Sequence, residues 1–274
     1  GIILPMLPNE NIIPDINLTP YTIWLATVVV SGISYLSYLL KRYVFRESGV
    51  LVSGIIGGLY SSTATISVLA RKSRNAHSQE ASEYVAAMLL AVSMMFLRFM
   101  ILILIFSSTI FTSIYPYLLI MAAVAAVVAW FIHTRRKRTP DADLVEEEDD
   151  SSNPLEFKVA LIFAGLFVIF TVLTHYTLIY AGTGGLNLLS FVSGFSDITP
   201  FILNLLQGTG SVAATVVMAC TMQAIISNIV VNMCYALFFS GKQSKLRSWI
   251  LGGFGCVIAV SYTHLRAHET RHDL

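Results

Sequence analysis

Charge is the scarcest commodity in this chain: Asp, Glu, Lys and Arg together supply 12% of its 274 residues, against 55% for the apolar set. Soluble domains carry about twice that charge, so a water-soluble globule is excluded and an integral membrane protein is indicated; the mean hydropathy of +0.72 agrees. The net charge of +1 offers no field for nucleic acid, which is not expected as a partner. Cysteine is sparse too. Cys220, Cys234 and Cys256 lie inside apolar runs, where they pack as small hydrophobes rather than build a disulfide framework or a metal site. Outside the C-terminal tail no HExxH, CxxC or GxSxG occurs, and Asp197 is the one acidic residue deep in an apolar run, which leaves paired-carboxylate chemistry without a partner. His77 and His175 have no recognisable nucleophile beside them. An enzyme is therefore not expected, nor is a cofactor.

Long uncharged runs are abundant. Tyr21–Leu40, Thr109–His133 and Val159–Tyr180 have the length that spans a bilayer, and 84–107, 212–239 and 248–262 are further candidates. The opening GIILPML has neither an initiator Met nor a basic stretch, so it does not read as a signal peptide, and a preceding membrane segment is expected to be missing. The closing SYTHLRAHETRHDL is abruptly polar and resembles a translated adapter read-through. Its His264, His268 and His272 are spaced i, i+4, i+8, which tempts a metal reading, but residues 261–274 are set aside as a non-native tail.

Two stretches stand out. GVLVSGIIGGLYSSTATISVLA (49–70) and GLNLLSFVSGFSDITPFILNLL (185–206) align without a gap at an offset of 136, and each carries a small, hydroxyl-rich interruption inside an apolar run. Gly54, Gly57 and Gly58 mark the first break; Gly194 and Pro200 mark the second. Interrupted segments at matching places in two halves point to a transporter-type site, although Gly, Ser and Thr also line ordinary helix contacts.

The basic residues favour one topology. They cluster at 41–46, 71–74, 135–138 and 242–247. If every apolar segment crossed the bilayer, these residues would divide six against seven, with no bias. If the two broken segments enter and leave on one side, all thirteen become cytoplasmic, as the positive-inside rule requires. The N-terminal stretch with Glu10 and Asp15 then lies outside. The expected fold is accordingly an all-α integral membrane protein of six transmembrane helices plus two re-entrant broken helices, arranged as a 3+3 inverted repeat. The expected organisation is a first membrane repeat over 1–133, a cytoplasmic charged linker over 134–154, a second repeat over 155–260, and the tail. The linker runs from a basic block into Glu146, Glu147, Glu148, Asp149 and Asp150, and reads as a solvated connector.

The remaining polar residues of the membrane segments define a candidate pathway. Arg98 sits midway along an apolar run, where a cation costs roughly 2.5–3.5 kcal/mol and needs a partner or a wet cavity. Pairing with Asp197 would relieve both costs. At an offset of 130 Arg98 aligns with Asn228, and Asn232 follows one turn later. One reading makes Asp197 a cation or proton site assisted by the hydroxyls of Ser61, Ser62, Thr63, Thr65, Ser196 and Thr199, with Arg98 as counter-charge or anion ligand. The other is a buried ion pair whose neighbouring hydroxyls merely satisfy broken backbone. Two half-helix N-termini converging there would instead favour an anion. The sign of the solute and any metal stay open.

GIIGGLYSSTATISVLARKSR, followed by an intramembrane Arg, then NPLEFKVALIFAGLF and LSFVSGFSDITPFILNL with AIISNIVVN, resembles the C-terminal membrane domain of unknown function of bacterial MgtC/SapB-family proteins, over about residues 1–258. The most specific pieces run Gly57–Thr65 and Ser193–Asp197. The resemblance implies the bacterial inner membrane and a link to magnesium homeostasis, with an N-terminal MgtC-type domain or a second copy as candidate protein partners beside the lipid bilayer. That family often carries a second acidic residue two positions after the first; here Thr199 occupies that place. The function expected is a transporter-like or channel-like module for a small ion; the alternative is a regulatory or scaffolding membrane domain.

Overall fold

The chain is seen in a computed structural model that describes residues 3–13, 16, 18–44, 49–74, 81–134, 157–208, 212–241 and 244–270. The linker expected over 134–154 lies outside these residues apart from Thr134, as do Asp15, Arg46 and the cluster at 135–138. The described chain is helical apart from short connections and one isolated bridge between Ile13 and Ile16.

The helices are α1 (Pro20–Leu39), α2 (Val50–Ser73), α3 (Ala81–Phe106), α4 (Ser108–Thr134), α5 (Phe157–Ser193), α6 (Ile198–Gly208), α7 (Ala214–Phe239) and α8 (Ser244–Thr270). Thr19 starts α1 with a reciprocal cap: its hydroxyl accepts from the Thr22 N–H at 3.1 Å, and the Thr22 hydroxyl accepts from the Thr19 N–H at 3.1 Å. Pro20 at the first helical position lacks only an N–H that the helix would not use. Among the described residues six helices are long and apolar enough to cross a membrane, and the protein is a multi-pass membrane protein. That set is drawn by length and composition: Val50–Ser73, expected as a re-entrant segment, is long enough to be included, and the run expected at 248–262 falls in Leu246–Tyr262, a shorter apolar helix inside α8. α8 runs on to Thr270 without interruption at Ser261.

α3 is the core of the bundle over most of its length, with Ala86, Ala87, Leu89, Val92 and Phe96 wholly inaccessible and only its end exposed at Ile101, Leu104 and Ile105, and α7 is comparably enclosed. Helices apolar all round belong in the interior of a membrane bundle. The outward faces of α4, α5 and α7 carry Trp130, Leu161, Tyr180 and Phe238, as expected of a surface that meets lipid rather than water. The packing pairs form a regular pattern: α1 lies on α5, α4 on α8, α2 on both α3 and α7, and α6 on both α7 and α3.

Two helices are interrupted. α2 breaks at Ser61, whose backbone is extended (φ −157°, ψ 107°). In an unbroken helix Gly57 and Thr65 would stand about 12 Å apart along the axis, yet a methyl group placed on Gly57 would touch the Thr65 side chain, with Cγ2 at 2.8 Å. The chain therefore doubles back at Ser61. α5 breaks at Gly182, where φ +58° and ψ −152° suit only glycine. Beyond it, 183–193 runs along α7, and α6 then returns beside the earlier part of α5: the Asn204 side-chain amide donates to the Phe170 carbonyl and the Thr174 hydroxyl, and the Phe170 and Phe201 rings meet edge to face.

Candidate functional site

The break in α2 at Ser61 and the turn at 194–197 between α5 and α6 each end in a cap for the helix that follows. The Ser61 hydroxyl accepts from the Ala64 N–H at 3.4 Å, and the Asp197 carboxylate, through Oδ1, accepts from the Thr199 N–H at 2.9 Å. Both satisfy an amide that has no partner within its own helix. The two caps stand at the same place in the two sequence stretches, 136 residues apart. Each tip is also held by the helix after it. Arg98 on α3 donates from Nη1 to the Tyr60 carbonyl at 2.7 Å, and Asn228 on α7 donates from Nδ2 to the Gly194 carbonyl at 3.2 Å. Asn232 donates to the Asn228 side-chain carbonyl at 3.1 Å and so orients that amide. Ser227 adds a bond from its hydroxyl to the Phe191 carbonyl at 2.7 Å.

The tips share one cavity of about 560 Å³. From the first stretch Gly58, Ser61, Ser62 and Thr63 line it; from the second, Gly194, Ser196, Asp197 and Thr199; Arg98 and Asn228 complete the set of sequence-predicted lining residues. The other candidates lie behind it. Thr65 packs on Gly57, Asn232 supports Asn228, and Gly54 and Pro200 belong to the helices that carry the tips. The Gly54 and Gly58 positions also allow α2 to lie directly on α3: a methyl on Gly58 would come 2.5 Å from Ala91 Cα, and one on Gly54 would strike the Ala87 carbonyl. That is the close small-residue packing of membrane helices. Gly194 likewise sits against Ser227 and the Asn228 N–H.

Arg98 and Asp197 are the only charged residues in the lining. Arg98 is 8% exposed, and its Nε has no hydrogen-bond partner. The Asp197 charge acts on it electrostatically, yet no direct ion pair joins them. The contact pair expected from the sequence is thus replaced by two separate anchorages, Arg98 on a tip carbonyl and Asp197 on a helix N-terminus.

Sequence reasoning missed part of the lining. Ser31 and Ser34 on α1, Phe163 on α5 and Tyr235 on α7 face the same space. Ser31 and Ser34, three apart in an otherwise apolar span, are a legible signal of a polar face; Phe163 and Tyr235 carry none. Among the described residues no group of three or more His, Cys, Asp or Glu is placed to hold a metal. His268–His272 spell HETRH, the zinc-protease spacing, but their side chains lie outside the described residues.

Residues 28–240 match the family model described as Domain of unknown function (DUF4010). The matched region contains every residue of the cavity lining and stops short of α8. A protein of Aquifex aeolicus (strain VF5), titled "Uncharacterized protein", is 26% identical over 208 residues, covering 74% of this chain and 87% of that relative. No solved structure matches the chain.

Proposed function

The chain belongs to the DUF4010 family, and we propose that it is a transporter-like or channel-like module for a small ion, with the cavity between the two hairpin tips as the binding site. One observation carries this reading: two capped turns that lie 136 residues apart, from the two halves of the chain, converge on one cavity and bring Arg98 and Asp197 to it. Irregular backbone is tolerated at membrane depth only where it is buried in protein or lines a wet cavity, and broken helices meeting near the midplane are the usual frame of secondary transport.

In this reading the halves form a 3+3 inverted repeat with re-entrant hairpins. The packing pattern supports it, because exchanging α1 with α5, α2 with α6, α3 with α7 and α4 with α8 carries α2 on α3 into α6 on α7, α3 on α4 into α7 on α8, α1 on α2 into α5 on α6, and α2 on α7 into α6 on α3; the contact of α5 with α7 has no α1–α3 counterpart, because 183–193, which runs along α7, belongs to α5. So do the matched caps and the matched donors from α3 and α7. The orientation that goes with it places the N-terminus outside and the basic ends of α1 and α2 in the cytoplasm of a bacterial inner membrane. The resemblance to MgtC/SapB proteins adds an ion-handling context, but a lining with one carboxylate is poorly equipped for bare magnesium, which binds through carboxylates and retained waters in octahedral geometry. No catalytic step is assigned.

Sidedness labelling tests the frame. Ser73 is wholly buried, so single cysteines belong at Gly49, Arg74 and Ser108, which are exposed, in a background lacking Cys220, Cys234 and Cys256. The expected result is that Gly49→Cys and Arg74→Cys label from one face and Ser108→Cys from the other. If Gly49→Cys and Arg74→Cys label from opposite faces, the hairpin reading fails and the scaffold alternative, in which Gly54 and Gly58 serve packing alone, takes its place.

A further inference from the structure

The two tips match in backbone and differ in charge. In the first, the cap is the neutral Ser61 and the helix behind the tip contributes Arg98; in the second, the cap is Asp197 and the helix behind contributes the neutral Asn228. The first tip is consequently the positive pole of the cavity. Its helix starts with a long 3.4 Å cap bond on Ala64, which leaves the Ser62 and Thr63 amides free of any intrahelical acceptor. Arg98, more than nine-tenths buried, adds an Nε proton that has found no acceptor. The second tip is the negative pole, because Asp197 already neutralises the helix end it caps and is itself exposed.

A buried cation recovers most of its desolvation cost by direct contact with an anion. Here they line one cavity without touching. A bare cation bound at Asp197 would feel the repulsion of Arg98, and a bare anion bound at Arg98 would feel that of Asp197. A molecule that carries one charge of each sign meets neither penalty and leaves the low-dielectric site neutral overall. The rest of the lining includes Val30, Met95, Phe99, Phe163, Leu166 and Val231, which suit an apolar body.

We propose that the solute of this cavity is a small zwitterion of amino-acid type, its carboxylate held by Arg98 and the amides that open the second half of α2, and its ammonium held by Asp197. This rests on the transport reading for the site's role, but the binding claim is separable from it.

The test uses the purified full chain with three probes that share one apolar body: L-leucine, with both charges; 4-methylpentanoate, with the carboxylate alone; and 3-methylbutylamine, with the ammonium alone. L-alanine serves as a second zwitterion with a smaller body. Binding is read by thermal shift in detergent and flux in proteoliposomes. Wild type is expected to bind at least one zwitterion about tenfold tighter than either singly charged probe, the factor set by about one charge-assisted contact. Asp197→Asn should reverse the order in favour of 4-methylpentanoate, and Arg98→Gln in favour of 3-methylbutylamine. A purely structural role would lower all binding together without reversing the order. If Arg98→Gln is not monodisperse, Arg98→Lys keeps the cation and Asp197→Asn alone decides. Zwitterions that bind no better than the singly charged probes, or that do not bind at all, overturn the proposal. Flux of sodium, chloride or magnesium with no zwitterion bound overturns it while leaving the transport reading standing. Charge-ordered binding with no flux of any solute supports the site and sinks the transport reading.

Discussion

The two hairpins solve one backbone problem with opposite charges. Each must end a half-helix, turn, and start another within an apolar environment, and each does so with a side-chain cap on the new helix and a donor from the following helix on the old one. In the first hairpin the donor is charged and the cap neutral. In the second the cap is charged and the donor neutral. The comparison teaches that the structural task needs only one hydrogen-bonding group at each place, since Asn228 does for Gly194 what Arg98 does for Tyr60. The charges exceed what the turns require, and that excess makes the cavity a dipolar one rather than a mere seam.

The most severe way to break the comparison is to fill the glycine contacts that seat the tips. Gly58→Leu and Gly194→Leu would drive side chains into the Ala91 backbone and into Ser227, and each is expected to destabilise the fold by about 3 kcal/mol or more, read as lost monodisperse yield. Equal damage at both sites would show that the tips are seated alike. Next comes Gly182→Ala, which forces a Cβ into a backbone region that costs about 1–3 kcal/mol for other residues. Open space surrounds Gly182, so the loss should appear as a lower melting temperature without misfolding.

Ser61→Asp sharpens the comparison by making the caps identical. A carboxylate at a helix N-terminus should hold or raise stability by about 0.5 kcal/mol. It also gives the cavity a second anion, so solute flux should fall while the melting temperature does not. A parallel loss of both would show that the neutral cap is needed for folding rather than for charge. The mildest change is Ser196→Ala, whose hydroxyl only donates to the Ser193 carbonyl at 3.1 Å. It should cost less than about 1 kcal/mol and leave the probe order unaltered; a reversed order would place Ser196 in the binding contact itself.

Much of this architecture is legible in the residues alone. Composition and run length indicate the membrane class, and the ungapped offset of 136 puts the caps at Ser61 and Asp197 in the same register, whereas the break at Gly182 lies before the second aligned stretch. Intramembrane charge is costly enough that Arg98 and Asp197 stand out from their apolar surroundings. The misses lie in the cavity lining. Phe163 and Tyr235 are invisible because aromatic residues in apolar helices face core, lipid and cavity alike.

The sequence by itself determined that this is a multi-pass membrane protein, that two matched stretches of it are interrupted, and which few polar groups must be satisfied inside, because the bilayer makes each unsatisfied backbone group or charge cost several kcal/mol. Only the tertiary structure decided what the glycines are for and where the charges go. Gly54 and Gly58 are spaced as any helix-packing pair would be, and their meaning comes from the Ala87 and Ala91 backbone opposite. Arg98 and Asp197 could have closed on each other, and the packing of α3 and α6 holds them instead on opposite tips of one cavity. Distances between segments far apart in sequence follow from how whole helices pack, and no local pattern of residues encodes them.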